Sequence, residues 1–245
     1  MTQHSFTDSK LTRGLTAICT CVLLAVSVVS FSLGVHNTVF KTEKASASPG
    51  ERKTIIIDAG HGGEDGGAQS LSGILEKYIN MSISNNLNDL FIFFGYDTVM
   101  TRTEDKLIYD SSCSTIREKK VSDIHNRMNI INTNPGAVFL SIHQNHYEGT
   151  SSCGTQVFYS GNNPLSEKLA DSIQKTIVSD VQPENKRLIK RSGREIYLLN
   201  NAQIPSVMVE CGFLSNPAEA EKLNSEDYQK LMAFEIFKGT VKTGG

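Results

Sequence analysis

Two histidines and two glutamates in this chain stand where apolar runs give way to turns or helix starts. His61 follows the strand-like run Thr54–Ile57 within Asp58-Ala59-Gly60-His61-Gly62-Gly63. Glu76 opens a helical pattern after Gly73-Ile74-Leu75, His143 follows Val138–Ile142, and Glu210 follows Ser206–Val209. Two imidazoles with one carboxylate form a catalytic zinc set that leaves a fourth position for water or substrate. A second carboxylate beside such a metal can act as general base toward that water. Each residue alone has a plainer explanation: a turn for His61, the helix dipole for Glu76, a satisfied core imidazole for His143, an ion pair for Glu210. Together they favour chemistry, because a carboxylate finishing an apolar strand is costly unless it is paired or metal-linked. The glycines about His61 permit positive φ and the close approach of another group.

Such residues need a scaffold that brings strand ends to one rim. Strands are expected at Thr54–Asp58, Asp97–Thr101, Ala137–Ile142, Thr155–Tyr159, Glu195–Leu199 and Ser206–Glu210. Helical spacing covers Glu76–Phe94, Ser122–Asn132, Leu165–Val181 and Asp227–Val241. Asn216-Pro217-Ala218-Glu219 has the cap, proline and acid of a helix start. Strands separated by helices of this length indicate an α/β domain whose sheet is covered on both faces. In such sheets ligands gather beyond strand ends.

The chain divides by composition. Lys10 and Arg13 precede an uncharged stretch, Leu15–Val35, rich in Leu, Val, Ala and Ser. A span of roughly 20 such residues is long enough to cross a bilayer and longer than a usual signal-peptide core. Residues 1–36 therefore read as a membrane anchor or signal peptide, and residues 37–52 as a polar linker. Residues 53–245 suffice for one sizeable core and read as a single exported domain. The formal net charge of −2 gives no sign of nucleic-acid binding. Outside the apolar segment only Cys113, Cys153 and Cys211 remain, an odd number without a CxxC pattern, so a disulfide framework is not expected.

The segments IIIDAGHGGEDGGA (55–68), GILEKYIN (73–80), VMTR (99–102), VFLSIHQNH (138–146), GTQVFY (154–159) and YLLNNAQIPSVMVECGFLSN (197–216) occur in this order. On these motifs the domain from Thr54 onward resembles the zinc-dependent N-acetylmuramoyl-L-alanine amidases of the bacterial cell wall, the amidase-3 family. The stretch Arg117–Asn132, with Asp123, Asn126 and Arg127, is most similar to the germination-specific members from spore-forming bacteria. The resemblance implies a six-stranded mixed, mostly parallel sheet with helices on both faces. It makes His61, Glu76 and His143 the Zn2+ ligands and Glu210 the catalytic acid/base. It implies cleavage of the amide between the lactyl group of N-acetylmuramic acid and L-alanine in peptidoglycan, with a role in spore-cortex maturation outside the cytoplasm. An accessory or activating protein is a further expected partner. The competing readings are a zinc carboxypeptidase or exopeptidase acting on stem peptides, and a partner-activated or non-catalytic wall-binding domain.

Several neighbours of these residues invite roles of their own. His146 is set aside as a fourth ligand, since on a continuing strand it faces away from His143 and a fourth protein ligand would close the catalytic position. Asn145 shares a face with His143 and, with Arg102 at the end of the second strand, is a candidate substrate contact. Arg102 and Arg127 have an alternative as structural ion pairs. Glu64 and Asp65, acids near His61, read as a solvated loop, with support of a metal ligand as the alternative, and Cys211 reads as a buried packing thiol. The segment Lys106–Lys120 reads as a lid or partner-docking loop.

Overall fold

The run Thr54–Ala59 forms β1, and its consecutive isoleucines suit a strand buried on both faces. It pairs in parallel with β2 (Asp97–Met100) on one side and β3 (Val138–Asn145) on the other. Beyond β3 lie β6 (Ser206–Phe213), parallel to it, then β4 (Gln156–Tyr159), antiparallel to β6, and β5 (Lys190–Arg191), parallel to β4. The order β2-β1-β3-β6-β4-β5 is the mixed, mostly parallel six-stranded sheet that the resemblance implied. This computed structural model describes residues 52–244, and the expected membrane segment lies outside the described residues. Among the described residues no helix is long and apolar enough to cross a membrane.

Helices α1 (Glu76–Phe93), α3 (Pro164–Asp180), α5 (Pro217–Leu223) and α6 (Glu226–Val241) cover one face, while α2 (Ile116–Asn132) and α4 (Tyr197–Asn201) cover the other. Alternation along the strands feeds a separate core on each side. Ile55, Ile57, Leu140 and Val209 pack with Ile83, Leu87, Ile173 and Ile236, whereas Ile56 and Phe139 meet Met128, Ile131, Leu198 and Leu199. Full burial of each such side chain favours folding by about 1.5–3 kcal/mol over leaving it exposed. From β1 the chain goes outward to β2, then returns past β1 to β3. At such a reversal the connections leave the strand ends in opposite directions and open a crevice.

Three expected elements differ. The run Glu195–Leu199 is not a strand: Tyr197–Asn201 is helical, with Leu198 and Leu199 packed into the α2 core. Short apolar runs do not distinguish helix from strand by periodicity, and here packing decided. The sixth strand is instead the exposed Lys190–Arg191, which has no apolar pattern to announce it. Helix α2 starts at Ile116 rather than Ser122, because Thr115 and Glu118 close a reciprocal capping box ahead of the first apolar position.

Beneath the crevice Asp58 is buried against Arg127 of α2, whose Nε also donates to Asp123 at 2.7 Å. Thr101 and Ser141 hydroxyls donate to Asp58 at 2.8 and 2.6 Å. Burial alone would raise the Asp58 pKa, but the Arg127 guanidinium and these donors bring it down to about 2 from 3.8. A carboxyl lowered on folding contributes stability above its unfolded value and loses it as pH falls through the folded one. Asp58→Asn is expected to cost about 3–5 kcal/mol at neutral pH, since Arg127 loses its deepest partner. It should also flatten the loss of stability between about pH 4 and pH 2. Urea denaturation of both proteins across that range measures the two effects.

Candidate metal centre and active site

After β1 the chain turns through Gly60 into His61, whose φ of 62° is the only positive value for a non-glycine among the described residues. That conformation is uncommon for a residue with a Cβ and needs support from its surroundings. Arg127 provides it, with Nη2 donating to the His61 carbonyl at 2.9 Å and Nη1 to Ala59 O at 3.0 Å. Gly60 is required by contact: a Cβ there would stand 2.3 Å from the His143 ring.

Glu76, the first residue of α1, is 3% exposed. Its Oε1 accepts from Gln144 N at 3.0 Å and Asn80 Nδ2 at 3.1 Å, and lies 2.9 Å from His143 Nδ1. Its Oε2 accepts from Ala68 N at 2.8 Å and lies 3.2 Å from His61 Nε2. Burial pushes this carboxyl up, yet the bonds from His143 and His61 hold it well below the ordinary glutamate range. On its other side His61 Nδ1 meets Asp65 Oδ2 at 2.7 Å, and Lys120 pairs with Asp65 Oδ1 at 2.7 Å. Burial works against an imidazolium at His61, but bonds to Asp65 and Glu76 prevail and raise it to about 9.

These contacts amount to a demand for positive charge between two imidazoles and a carboxylate. His61, Glu76 and His143 each offer a ligand atom, all within 4.8 Å of one another. A proton on His61 would meet part of that demand; a divalent cation would meet it more fully, and a nitrogen, nitrogen, oxygen donor set fits zinc. Beside them Glu210 on β6 is the cross-strand partner of His143. Burial raises its pKa to about 7, with the Glu76 charge adding to that effect and the two imidazoles opposing it. Its Oε2 is buried without a hydrogen-bond partner. Such an atom in a polar site marks a place for a group from outside the chain.

All four residues singled out in the sequence therefore meet, although His143 and Glu210 lie inside longer strands rather than at their ends. Arg102 is not placed to touch substrate. It is 2% exposed, and its guanidinium donates to the carbonyls of Ala59, Gly60, Lys77 and Glu104 at 2.8–3.1 Å. Asn145 sits beyond a register shift after His143, which interrupts the expected alternation, and its Oδ1 accepts from His146 N at 2.8 Å. His146 is exposed and Cys211 fully buried, both as expected. The first part of the expected lid is fastened down: Leu107 is buried, Ile108 N donates to Asp123 Oδ1 and Asn126 Nδ2 donates to Ile108 O, both at 2.7 Å. Its second part belongs to α2.

Sequence reading ranked a supporting role for Asp65 below that of a solvated loop residue, and the bond to His61 reverses the order. A ligating histidine regularly gives its second ring nitrogen to a carboxylate, and an acid four residues after His61 was the available signal. Sequence reading missed Asn80 and Gln144, which hold Glu76 through a chain of amide bonds; nothing in their spacing pointed to this.

A crevice of about 270 Å3 opens at this rim, lined by His61, Asp65, Lys120, His143, Tyr197 and Met208 among others. An α/β sheet that gathers two imidazoles and a carboxylate about one point able to take a metal ion, next to a second buried carboxyl, suits a hydrolase. The chain belongs to the Amidase_3 family, described as N-acetylmuramoyl-L-alanine amidase, which matches residues 55–242. It is 32% identical over 190 residues to the germination-specific N-acetylmuramoyl-L-alanine amidase of Bacillus subtilis, covering 78% of this chain and 79% of that one. Among solved structures it is similar to the CwlD amidase of Clostridioides difficile in complex with the GerS lipoprotein. That match has 38% identity and a TM-score of 0.76, and covers 78% of this chain and 98% of that one. AmiC2 of Nostoc punctiforme, another N-acetylmuramoyl-L-alanine amidase, matches at 27% identity and a TM-score of 0.65 over 78% of this chain and 97% of that one.

Removing the Asp65 carboxylate should loosen the His61 ring without touching a donor atom of the set. Asp65→Ala is expected to weaken zinc binding by about 10–100-fold, read by competition with a chromogenic chelator. Unchanged affinity would mean that Asp65 serves only the loop.

Proposed function

We propose that His61, Glu76 and His143 hold a zinc ion and that Glu210 is the catalytic acid/base of this amidase. The bond hydrolysed joins the lactyl group of N-acetylmuramic acid to the L-alanine of the stem peptide, and its cleavage frees peptide from glycan. The observation that carries this reading is the convergence of three donor atoms within 4.8 Å beside a buried carboxyl that has one unpartnered oxygen. Bound zinc supplies a Lewis acid that acidifies a water and polarises the carbonyl to be attacked.

The chain's own groups do the rest. Glu210 takes the proton of the attacking water and hands it to the L-alanine nitrogen, which leaves poorly unless protonated. A carboxyl balanced at about 7 can do both at neutral pH. Asp65 keeps the His61 ring turned so that Nε2 faces Glu76, and the donors on Glu76 prevent its carboxylate from rotating. Ile124, Tyr197 and Met208 give the crevice an apolar wall along which substrate can lie.

The germination-specific relative supports a role in the spore cortex, and the solved amidase bound to a lipoprotein supports an accessory protein for this chain also. The uncharged stretch Leu15–Val35 supports export with membrane attachment.

Mass spectrometry of digested peptidoglycan tests the activity: free glycan with intact stem peptides is expected, and shortened stems would indicate a peptidase. Glu210→Gln should retain zinc while turnover falls by about 10²–10⁴-fold; turnover near that of the parent protein would remove Glu210 from the mechanism. His61→Ala and His143→Ala should each lose the metal, measured by elemental analysis of purified protein.

A further inference from the structure

The segment 186–194 carries Lys186, Arg187, Lys190, Arg191 and Arg194 in a chain whose net charge is −2. Among the described residues none of these five takes part in an ion pair, although most of the ion pairs elsewhere join a lysine or arginine to an acid. Unbalanced cations at an edge strand are ordinarily solvated. Arg187 differs in being half-buried and held in place. Its guanidinium stacks 4.4 Å from the ring centre of Phe213, and its Nε donates to Cys153 O at 2.7 Å. Both Nη groups are left without a protein partner among the described residues. A planar fork fixed by stacking and one anchored nitrogen is pre-organised for a carboxylate.

Its position relates it to Glu210. Phe213 lies three residues beyond Glu210 on β6, and Gln156, the cross-strand partner of Glu210, donates to Leu188 O at 2.9 Å. Two strand spacings therefore separate the Arg187–Leu188 backbone from Glu210, on the order of 10 Å. Lys190 stands on the same face, with Nζ 5.7 Å from the ring centre of Phe158. An extended peptide advances about 3.3–3.6 Å per residue. With its first amide at Glu210, its second and third residues would come level with Arg187.

Resting on the amidase reading above, we propose that Arg187, assisted by Lys190, binds a carboxylate of an acidic stem peptide and so sets the enzyme's preference for charged over amidated stems. The ligand is the peptide half of the substrate, bound across β4 toward β5. Arg187 makes no contact with the reacting atoms and acts through binding.

The test compares glycan strands bearing native stems with the same strands after their stem carboxylates are converted to amides. The zinc-loaded protein should bind native strands at least tenfold more tightly, measured by calorimetry without reference to turnover. In Arg187→Gln that preference should vanish: KM on native strands rises about tenfold, kcat is kept, and values on amidated strands do not move. Arg187→Lys should recover part of the preference. Equal losses on both substrates would show that Arg187 only supports Phe213 and the Cys153 loop, and no preference in the parent protein would overturn the proposal outright. If the parent protein bound native strands selectively yet released no stem peptide, the amidase reading would fail while the carboxylate site stood.

Discussion

The Glu76 carboxylate accepts from Gln144, Asn80 and Ala68 while facing His143 on one oxygen and His61 on the other, and so joins three pieces of chain: the α1 start, the glycine loop and β3. A buried carboxylate with this many donors has one stable orientation. Any loss of the α1 start, the glycine loop or the β3 edge would leave it uncompensated, which is costly in a low-dielectric site. The geometry of both imidazoles follows from that constraint. Gly67 shows how tightly the loop closes on it, because a Cβ there would stand 2.6 Å from Glu76 Oε2 and from the His61 ring.

A second buried charge group lies one layer deeper. Asp58 gathers Arg127, and Arg127 in turn holds the carbonyls of Ala59 and His61. The left-handed backbone at His61 is thereby tied to the sheet and to α2 rather than to the loop alone. Arg102 braces the neighbouring carbonyls of Ala59 and Gly60 from the other side. Two arginines that sequence reading considered for substrate thus serve the backbone beneath the site. The physical reason is that a turn carrying a residue in the left-handed conformation leaves unpaired carbonyls, and a guanidinium can satisfy several at once.

The parallel strands were legible because Ile55–Ile57 and Val138–Leu140 are continuous apolar runs, as buried parallel strands favour. Their ends drew attention to His61, His143 and Glu210 for the same reason: polar groups after such runs stand out. Lys190–Arg191 was not legible as a strand. It pairs by backbone on an exposed edge, and neither charge nor side-chain pattern records backbone pairing. Glu195–Leu199 looked like a strand because four apolar residues in a row, Ile196–Leu199, fit either form. Asp65 was read first as solvated since an acid in a glycine loop is usually hydrated, and only the ring of His61 beside it changes that expectation.

By itself the sequence determined the α/β class, the two glutamates and two histidines that meet, and the family to which the domain belongs. These rest on residue type, spacing and order, which are properties of a linear chain. Only the tertiary structure decided that Arg102 faces backbone and not substrate, that Asp65 orients His61, and that Arg187 is stacked on Phe213 with both Nη groups unpaired among the described residues. Those facts depend on which face of a strand or helix meets which neighbour. They are set by cross-strand register, a shifted step after His143 and the return of the chain past β1, none of which is written in local pattern.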